Sequence, residues 1–203
     1  MTVESVDLEI RQLADLLNRA NPQAKAAIFG VCGRALAPLL GSVEARSAGR
    51  WTFPEISVAL DLIEWFATDS MEASDHTALR ARLMDSIPHG DDLGAPWSTY
   101  AQDAIICADA GLAAASPGNG PKSIWIQYTI EPLMITMEIR DAEIIRLNGT
   151  DSWGRHLVHD PTMKMALGFV RKAITELSGD TRVGRADFHR LVEEGAILRP
   201  AGP

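Results

Sequence analysis

The chain has 203 residues, of which 46% are hydrophobic and 23% are charged, as in a globular domain with one core. Its net charge of −8 argues against a nucleic-acid-binding protein, which needs a basic surface. No stretch approaches the roughly 18 uninterrupted apolar residues of a membrane-spanning helix, and the first residues lack the pattern of a secretory signal. We therefore expect a cytoplasmic protein in which Cys32 and Cys107 are reduced, packed thiols, and which binds no membrane and no cofactor.

The negative charge is concentrated in the middle of the chain. Between Glu55 and Asp109 there are eleven acidic and two basic residues, so this segment carries −9 and the remainder carries +1. If these acids share a surface, that surface favours a basic protein partner. If they only line the solvent side of amphipathic helices, they indicate no partner. Our candidates for partner binding are Asp61, Glu64, Asp85, Asp91 and Asp92.

Apolar spacing and end signals predict three helices in the first third of the chain. The first ends near Asn21 and Pro22, because a proline disfavours a helical conformation in the residue before it. Its stripe is formed by Val3, Val6, Ile10, Leu13 and Leu17. The second runs over 23–40, with a bend at Pro38 and an end at Gly41. The third covers 52–69, where Thr52 and Glu55 form a capping box. Its buried face holds Ile56, Leu60, Ile63 and Phe66.

Two further helices flank the segment SIPHGDDLGAPW, residues 86–97. Leu79, Leu83 and Ile87 mark a short fourth helix. Pro96 opens a fifth, whose sequence STYAQDAIICADAGLAAA is rich in alanine. Small side chains let neighbouring backbones approach closely, so we expect this helix near the centre of the fold.

Helix and strand patterns compete over 123–147. Alternating apolar residues and abundant β-branched side chains favour a strand. Helical spacing continues past Pro132, however, and Asn119 and Pro121 resemble a helix start. We favour one long, kinked, mostly buried helix.

The C-terminal third predicts two more helices. Asp160 and Pro161 begin a seventh, which ends at Gly179. Its stripe comprises Met163, Leu167, Val170, Ile174 and Leu177. An eighth covers 182–194. The prediction is therefore an all-α single domain over 1–197, a bundle or short array of about eight helices, followed by a frayed tail at 198–203.

Residues 86–97 also provide the best candidate metal site. His89, Asp91, Asp92 and, from the next helix, Asp103 offer the oxygens and imidazole that a divalent cation binds. Adjacent aspartates point in different directions, however, and aspartates before a helix also stabilise its free amides. Since turn chemistry explains Gly90, Gly94 and Pro96 as well, we favour a simple turn. If Asp103 faces inward it needs a partner, for which we expect Arg34 or a backbone amide.

Other constellations give little support for catalysis, and we predict no catalytic residues. His156 and His159 have a zinc-like spacing but lack a second pair of ligands. No serine lies in a Gly-x-Ser-x-Gly elbow, and the segment SPGNGPKS departs from a phosphate-binding loop.

The order of several short motifs resembles the YjaG-like family of uncharacterised bacterial helical proteins. The resemblance spans 25–197 and runs through AIFGVCGRALAPLL, ALDLIEWF, SIPHGDD, AQDAIICADA and GRADFHRLVEEGAI. Matching positions are Phe29, Cys32, Arg34, Pro38, Leu60, Asp61, Leu62, Ile87, Pro88, Asp91, Asp92, Asp103, Ala104, Arg185, Ala186 and Asp187. The resemblance implies an all-α fold, which favours a helix over 123–147, and it brings no catalytic residues. The general pattern is also similar to small helical immunity proteins encoded beside bacterial toxins.

Three functional hypotheses follow. The first is a non-enzymatic binding protein, of the immunity type, whose acidic face occludes a basic partner such as a toxin. The second is a metal-dependent enzyme or metal-binding protein that uses the acidic corner at 89–103. The third is a structural homo-oligomer that pairs through the stripe of its first helix. The sequence leaves open whether the protein is a monomer or a homodimer.

Overall fold

The helices of this chain follow its apolar periodicity closely. A computed structural model describes residues 5–69, 72–88, 93–94, 96–118, 120–179 and 183–200, leaving aside the side chains of Ile144, Asn148, Asp151 and Ser152. Over these residues the fold is all-α and contains no strand. The helices are α1 (Val6–Asn18), α2 (Pro22–Leu36), α3 (Pro38–Arg46), α4 (Pro54–Thr68), α5 (Thr77–Asp85), α6 (Trp97–Ala114), α7 (Glu131–Arg140), α8 (Ala142–Asn148), α9 (Thr150–Leu157), α10 (Pro161–Leu177) and α11 (Arg185–Glu194), with the short 3-10 helices η1 (Ser123–Thr129) and η2 (Gly195–Leu198).

The predicted number of about eight helices is too low, because prolines divide two predicted helices. Pro38 has no N–H to bond to Arg34 and its ring crowds that carbonyl, so the second helix breaks at Ala37 into α2 and α3, which meet at 41°. Pro132 likewise lies in the first turn of α7, where no N–H is required. The predicted helix over 123–147 is three elements, η1, α7 and α8, and the second break, at Asp141, does not involve a proline. Helix α9 was not predicted.

Most of the predicted stripes and two end signals are confirmed. The stripe residues of α1 from Val6 onward and the five of α10 are all buried. The side chains of Asn21 and Asp160 cap α2 and α10 by accepting bonds from backbone amides. The capping box at Thr52 is wrong: α4 begins at Pro54 after Phe53, which makes no side-chain cap bond.

Helix α6 lies at the centre, as its alanine content predicted. It packs against α2, α3, α4, α5, α7 and η1, and almost every side chain from Ser98 to Ala114 is buried. Small residues make this packing close: a Cβ added at Gly111 would lie 2.6 Å from Ile63 Cδ1. Ile63 is equally tight on its other side, since a Cβ at Gly30 of α2 would lie 2.7 Å from its Cγ2.

The start of the predicted tail and most of the α1 stripe are buried. Leu198 has no exposed surface and Pro200 is buried, so 198–200 pack against the domain, while 201–203 lie outside the described residues. The stripe of α1 from Val6 onward packs within the chain, where α1 contacts η1 and α10, while Val3 lies outside the described residues.

In the described part of the chain, no single helix is both long enough and apolar enough to cross a membrane. The bent pair α2 and α3 meets those criteria only jointly. Eleven of the fifteen residues of α2 are buried in the core.

Candidate interaction surface

The outer face of α4 carries an exposed apolar stripe. Val58, Leu62 and Trp65 are spaced by four and three residues, so they are neighbours along one side of the helix. Val58 is 53% exposed and Trp65 is 49% exposed, while Leu62 is partly buried. A half-exposed tryptophan next to a second exposed apolar side chain is typical of a protein-binding surface. We refer to these three residues as the α4 stripe.

The stripe exists because α4 is apolar on two sides. Its inner side, formed by Ile56, Leu60, Ile63 and Phe66, satisfies the packing against α2 and α6. A helix at the edge of a fold needs only one apolar side for the core, and its other side is normally polar. The second apolar side therefore has no covering element among the described residues.

Charged side chains from three helices meet along one flank of the stripe. The carboxylate of Glu64 lies 2.8 Å from Arg34 Nη2 of α2 and 3.1 Å from His189 Nε2 of α11. Arg34 Nη2 also donates to Asp61 at 2.7 Å. At the end of α4, Arg185 of α11 pairs with Asp69. We call these six residues the α4 ion network. It joins α2, α4 and α11.

This network changes the expected distribution of charge. Three of the acids in the −9 segment, Asp61, Glu64 and Asp69, are paired with arginines that come from outside that segment. On the other flank, Arg82 of α5 lies 3.8 Å from Glu55. The loop after α4 adds exposed Glu72 and Asp75. The acids of α4 itself are largely paired with bases.

The predicted partner-binding residues do not share one environment. Asp61 is exposed beside the stripe, and Asp85 is exposed at the end of α5. Glu64 is only 8% exposed and is held by Arg34, so its prediction as a surface contact is wrong. Asp91 and Asp92 lie outside the described residues.

The candidate metal site is not assembled by the described residues. His89, Asp91 and Asp92 lie outside them, and Asp103 is completely buried in the core. Within the described ranges, no three histidine, cysteine, aspartate or glutamate side chains are grouped as metal ligands. His156 and His159, which are exposed, likewise belong to no such group among these residues.

The expected partner of Asp103 is also wrong. Arg34 points to Asp61 and Glu64, and neither Asp103 oxygen has a hydrogen-bond partner in the described structure. Burial, and then the charge of Glu131, raise the pKa of Asp103 well above its usual value. Asp109, six residues further along α6, does have a partner: Arg80 binds it with two bonds of 2.7 and 3.0 Å.

Both cysteines are free, buried thiols, as predicted. Burial raises the pKa of Cys32 to about 12, and it also raises the pKa of Cys107. A thiol with a raised pKa carries little thiolate at neutral pH and is a poor nucleophile. The two residues therefore act as core side chains.

Sequence reasoning missed the α4 stripe, although a signal was present. The segment ISVALDLIEWF contains apolar residues at Val58, Leu62 and Trp65 in addition to the predicted buried face. A second helical stripe on the side opposite the core would have indicated an exposed apolar surface.

Comparisons with known proteins identify no relative: no protein-family model, no curated protein sequence and no solved structure matches this chain. The resemblance to YjaG-like proteins stays a prediction.

Proposed function

We propose that this chain is a non-enzymatic protein-binding protein whose partner packs an apolar ridge with basic flanks against the α4 stripe. The observation that supports this most directly is the exposure of Trp65, 49%, beside Val58, 53%. Tryptophan is enriched among the residues that contribute most to protein interfaces.

The charge around the stripe supports a basic partner. The chain has a net charge of −8, and exposed Glu72 and Asp75 follow α4, beyond Asp61 and Asp69, which pair with Arg34 and Arg185. Complementary charge raises the rate of encounter and disfavours acidic competitors. A toxin occluded by an immunity-type protein is one partner of this chemistry.

Affinity capture with matched variants tests the proposal. The tagged chain is co-expressed with its native cellular proteins and recovered at low and at physiological salt. We expect wild type to retain a specific protein, and Trp65→Ser to bind it at least thirtyfold more weakly, since a central tryptophan contributes about 2 kcal/mol or more. Leu147→Ser is the control, because Leu147 is 66% exposed on α8, away from the stripe.

Three results would contradict the proposal. The first is capture of no protein at low salt, and the second is equal retention by Trp65→Ser and wild type. The third is a concentration-dependent doubling of mass that Trp65→Ser abolishes, since the stripe would then bind a second copy of this chain. Thermal unfolding of each variant checks that the fold is retained.

A further inference from the structure

Two carboxyl groups face the interface between α6 and the segment η1–α7 (123–140). Asp103, in the middle of α6, has no exposed surface, and both of its side-chain oxygens lack a hydrogen-bond partner in the described structure. Glu131, the first residue of α7, has a buried Oε2 that also lacks a partner there. At the same interface the hydroxyls of Tyr100 and Thr136 lie 2.6 Å apart.

The groups around this pair are acids or neutral side chains. Tyr128 comes from η1, Cys107 lies one turn along α6, and Cys32 lies on α2. Burial raises the pKa of Tyr128 and of Cys107, and the charges of Asp103 and Glu131 raise both further, as does Cys32 for Cys107.

The arginines of the helices packed against α6 lie next to other acids or an aromatic ring. Arg34 of α2 binds Asp61 and Glu64, and Arg80 of α5 binds Asp109. Arg82 of α5 lies 3.8 Å from Glu55, and Arg140 of α7 binds Asp141. Arg46 of α3 lies over the ring of Trp97, at 6.0 Å from its centroid. Within the described part of the chain, no ion pair reaches Asp103 or Glu131.

A buried carboxylate without a cation or a hydrogen bond is strongly unfavourable. Two such carboxylates at one interface also repel each other, so the pair resists full ionisation. Protonation of one group removes its own burial penalty and the repulsion between the two. A proton is therefore the ligand that this arrangement requires.

We propose that Asp103 and Glu131 form a proton-dependent latch, which holds η1–α7 against α6 while the pair carries at least one proton and releases it when both carboxyls ionise. Release would uncover the apolar side chains with which this segment packs, among them Ile126, Ile130, Leu133 and Met137. The latch is independent of the α4 stripe.

The sign of the pH dependence follows from the raised pKa values of both groups. Burial raises the pKa of Glu131, and burial together with Glu131 raises the pKa of Asp103. The docked state therefore binds protons that the released state gives up. Docking is complete below the ordinary carboxyl pKa and weakens as pH rises through the raised values.

Hydrogen exchange of backbone amides between pH 5 and pH 9 tests the latch. After correction for the intrinsic pH dependence of exchange, we expect the protection of amides in 126–137 to fall about tenfold per pH unit while the docked pair holds one proton that the released carboxyls have lost, and to level off above that range. In Asp103→Asn the fall should be smaller. In Asp103→Asn/Glu131→Gln, protection should change less than threefold over the whole range.

The control is Glu138→Gln, which removes an exposed acid from the same helix and should leave the wild-type profile unchanged. Flat protection in wild type would contradict the latch, as would an unchanged slope in Asp103→Asn. An equal loss of protection in α10 would show that the whole chain opens, and it would also overturn the proposal. Because the wild-type profile is decisive alone, the test does not depend on the double variant folding.

Discussion

At the scale of single residues, two aspartates of α6 have very different surroundings in the same core. Asp109 is 3% exposed and is bound by both nitrogens of the Arg80 fork, whereas Asp103 is fully buried without such a partner. The bond with Asp109 raises the pKa of Arg80. A bidentate pair of this kind satisfies a buried carboxylate, while burial alone favours its protonated form.

Removal of Arg80 should therefore be costly. We expect Arg80→Ala to lower the free energy of unfolding by about 3 kcal/mol at neutral pH, because it leaves the Asp109 carboxylate buried without its counter-ion. Urea denaturation measures this change. Arg146→Ala serves as control, since Arg146 and its partner Glu143 are both well exposed and their pair should contribute nothing measurable. Equal stability of Arg80→Ala and wild type would refute the expected role of this pair.

At the scale of helices, the closest packing occurs where α2, α4 and α6 meet. Ile63 of α4 lies between Gly30 and Gly111, and a Cβ at either glycine would come within 2.7 Å of it. Ile63 has no exposed surface, so it cannot move away from one glycine without approaching the other. These glycines are a requirement of packing, because both lie inside α-helices and neither has a positive φ.

Alanine should have opposite effects at two glycines of this fold. Gly111→Ala is expected to destabilise the protein by about 1–3 kcal/mol, since the new methyl group overpacks Ile63. Gly168→Ala, on the exposed side of α10 with open space around it, is expected to stabilise by about 0.5–1 kcal/mol through helix propensity. Thermal and urea unfolding distinguish these signs. Ile63→Val should reduce the cost of Gly111→Ala, and additive effects of the two changes would contradict the argument.

At the scale of the whole molecule, ion pairs between distant parts of the chain distribute the charge. Arg34 and Glu64 are 30 positions apart, and Arg185 and Asp69 are 116 apart. Through these pairs, bases from both ends of the chain neutralise acids in its middle. These pairs connect α2 with α4, and the end of α4 with α11. They also make the surface less acidic than the composition of the middle segment indicates.

A double-mutant cycle should show that the α4 ion network contributes to stability. We expect Arg34→Ala to cost about 2–4 kcal/mol, because Glu64 is largely buried and loses its nearest cation. In a Glu64→Gln background the same change should cost less, with a coupling of about 1–3 kcal/mol. Arg11→Ala, exposed on α1, is the control and should have no measurable effect. Strict additivity in the cycle would show that Arg34 and Glu64 do not interact energetically.

The helical class and most helix positions could be read from the sequence because they depend on local rules. The stripes of α1 and α10 follow from residue spacing, and the caps at Asn21 and Asp160 involve amides only two or three residues away. Prolines give the same kind of local signal. The pattern predicts a bend at Pro38 and a kink at Pro132, however, whereas the helix breaks at Ala37 and again before Pro132. These errors concern how strongly a proline disrupts a helix, which depends on the surrounding packing.

Tertiary structure alone decided which polar groups are paired and which apolar side chains remain outside. The partner of Glu64 comes from α2, that of Asp109 from α5, and Asp103 has none among the described residues. Trp65 and Ile63 lie two positions apart in α4, yet one is half exposed and the other is enclosed by two glycines. Periodicity and composition are local properties, and they are sufficient to predict an all-α chain with an acidic middle. The α4 stripe and the Asp103–Glu131 pair arise only when distant helices pack, since burial and charge pairing depend on what each side chain meets in space.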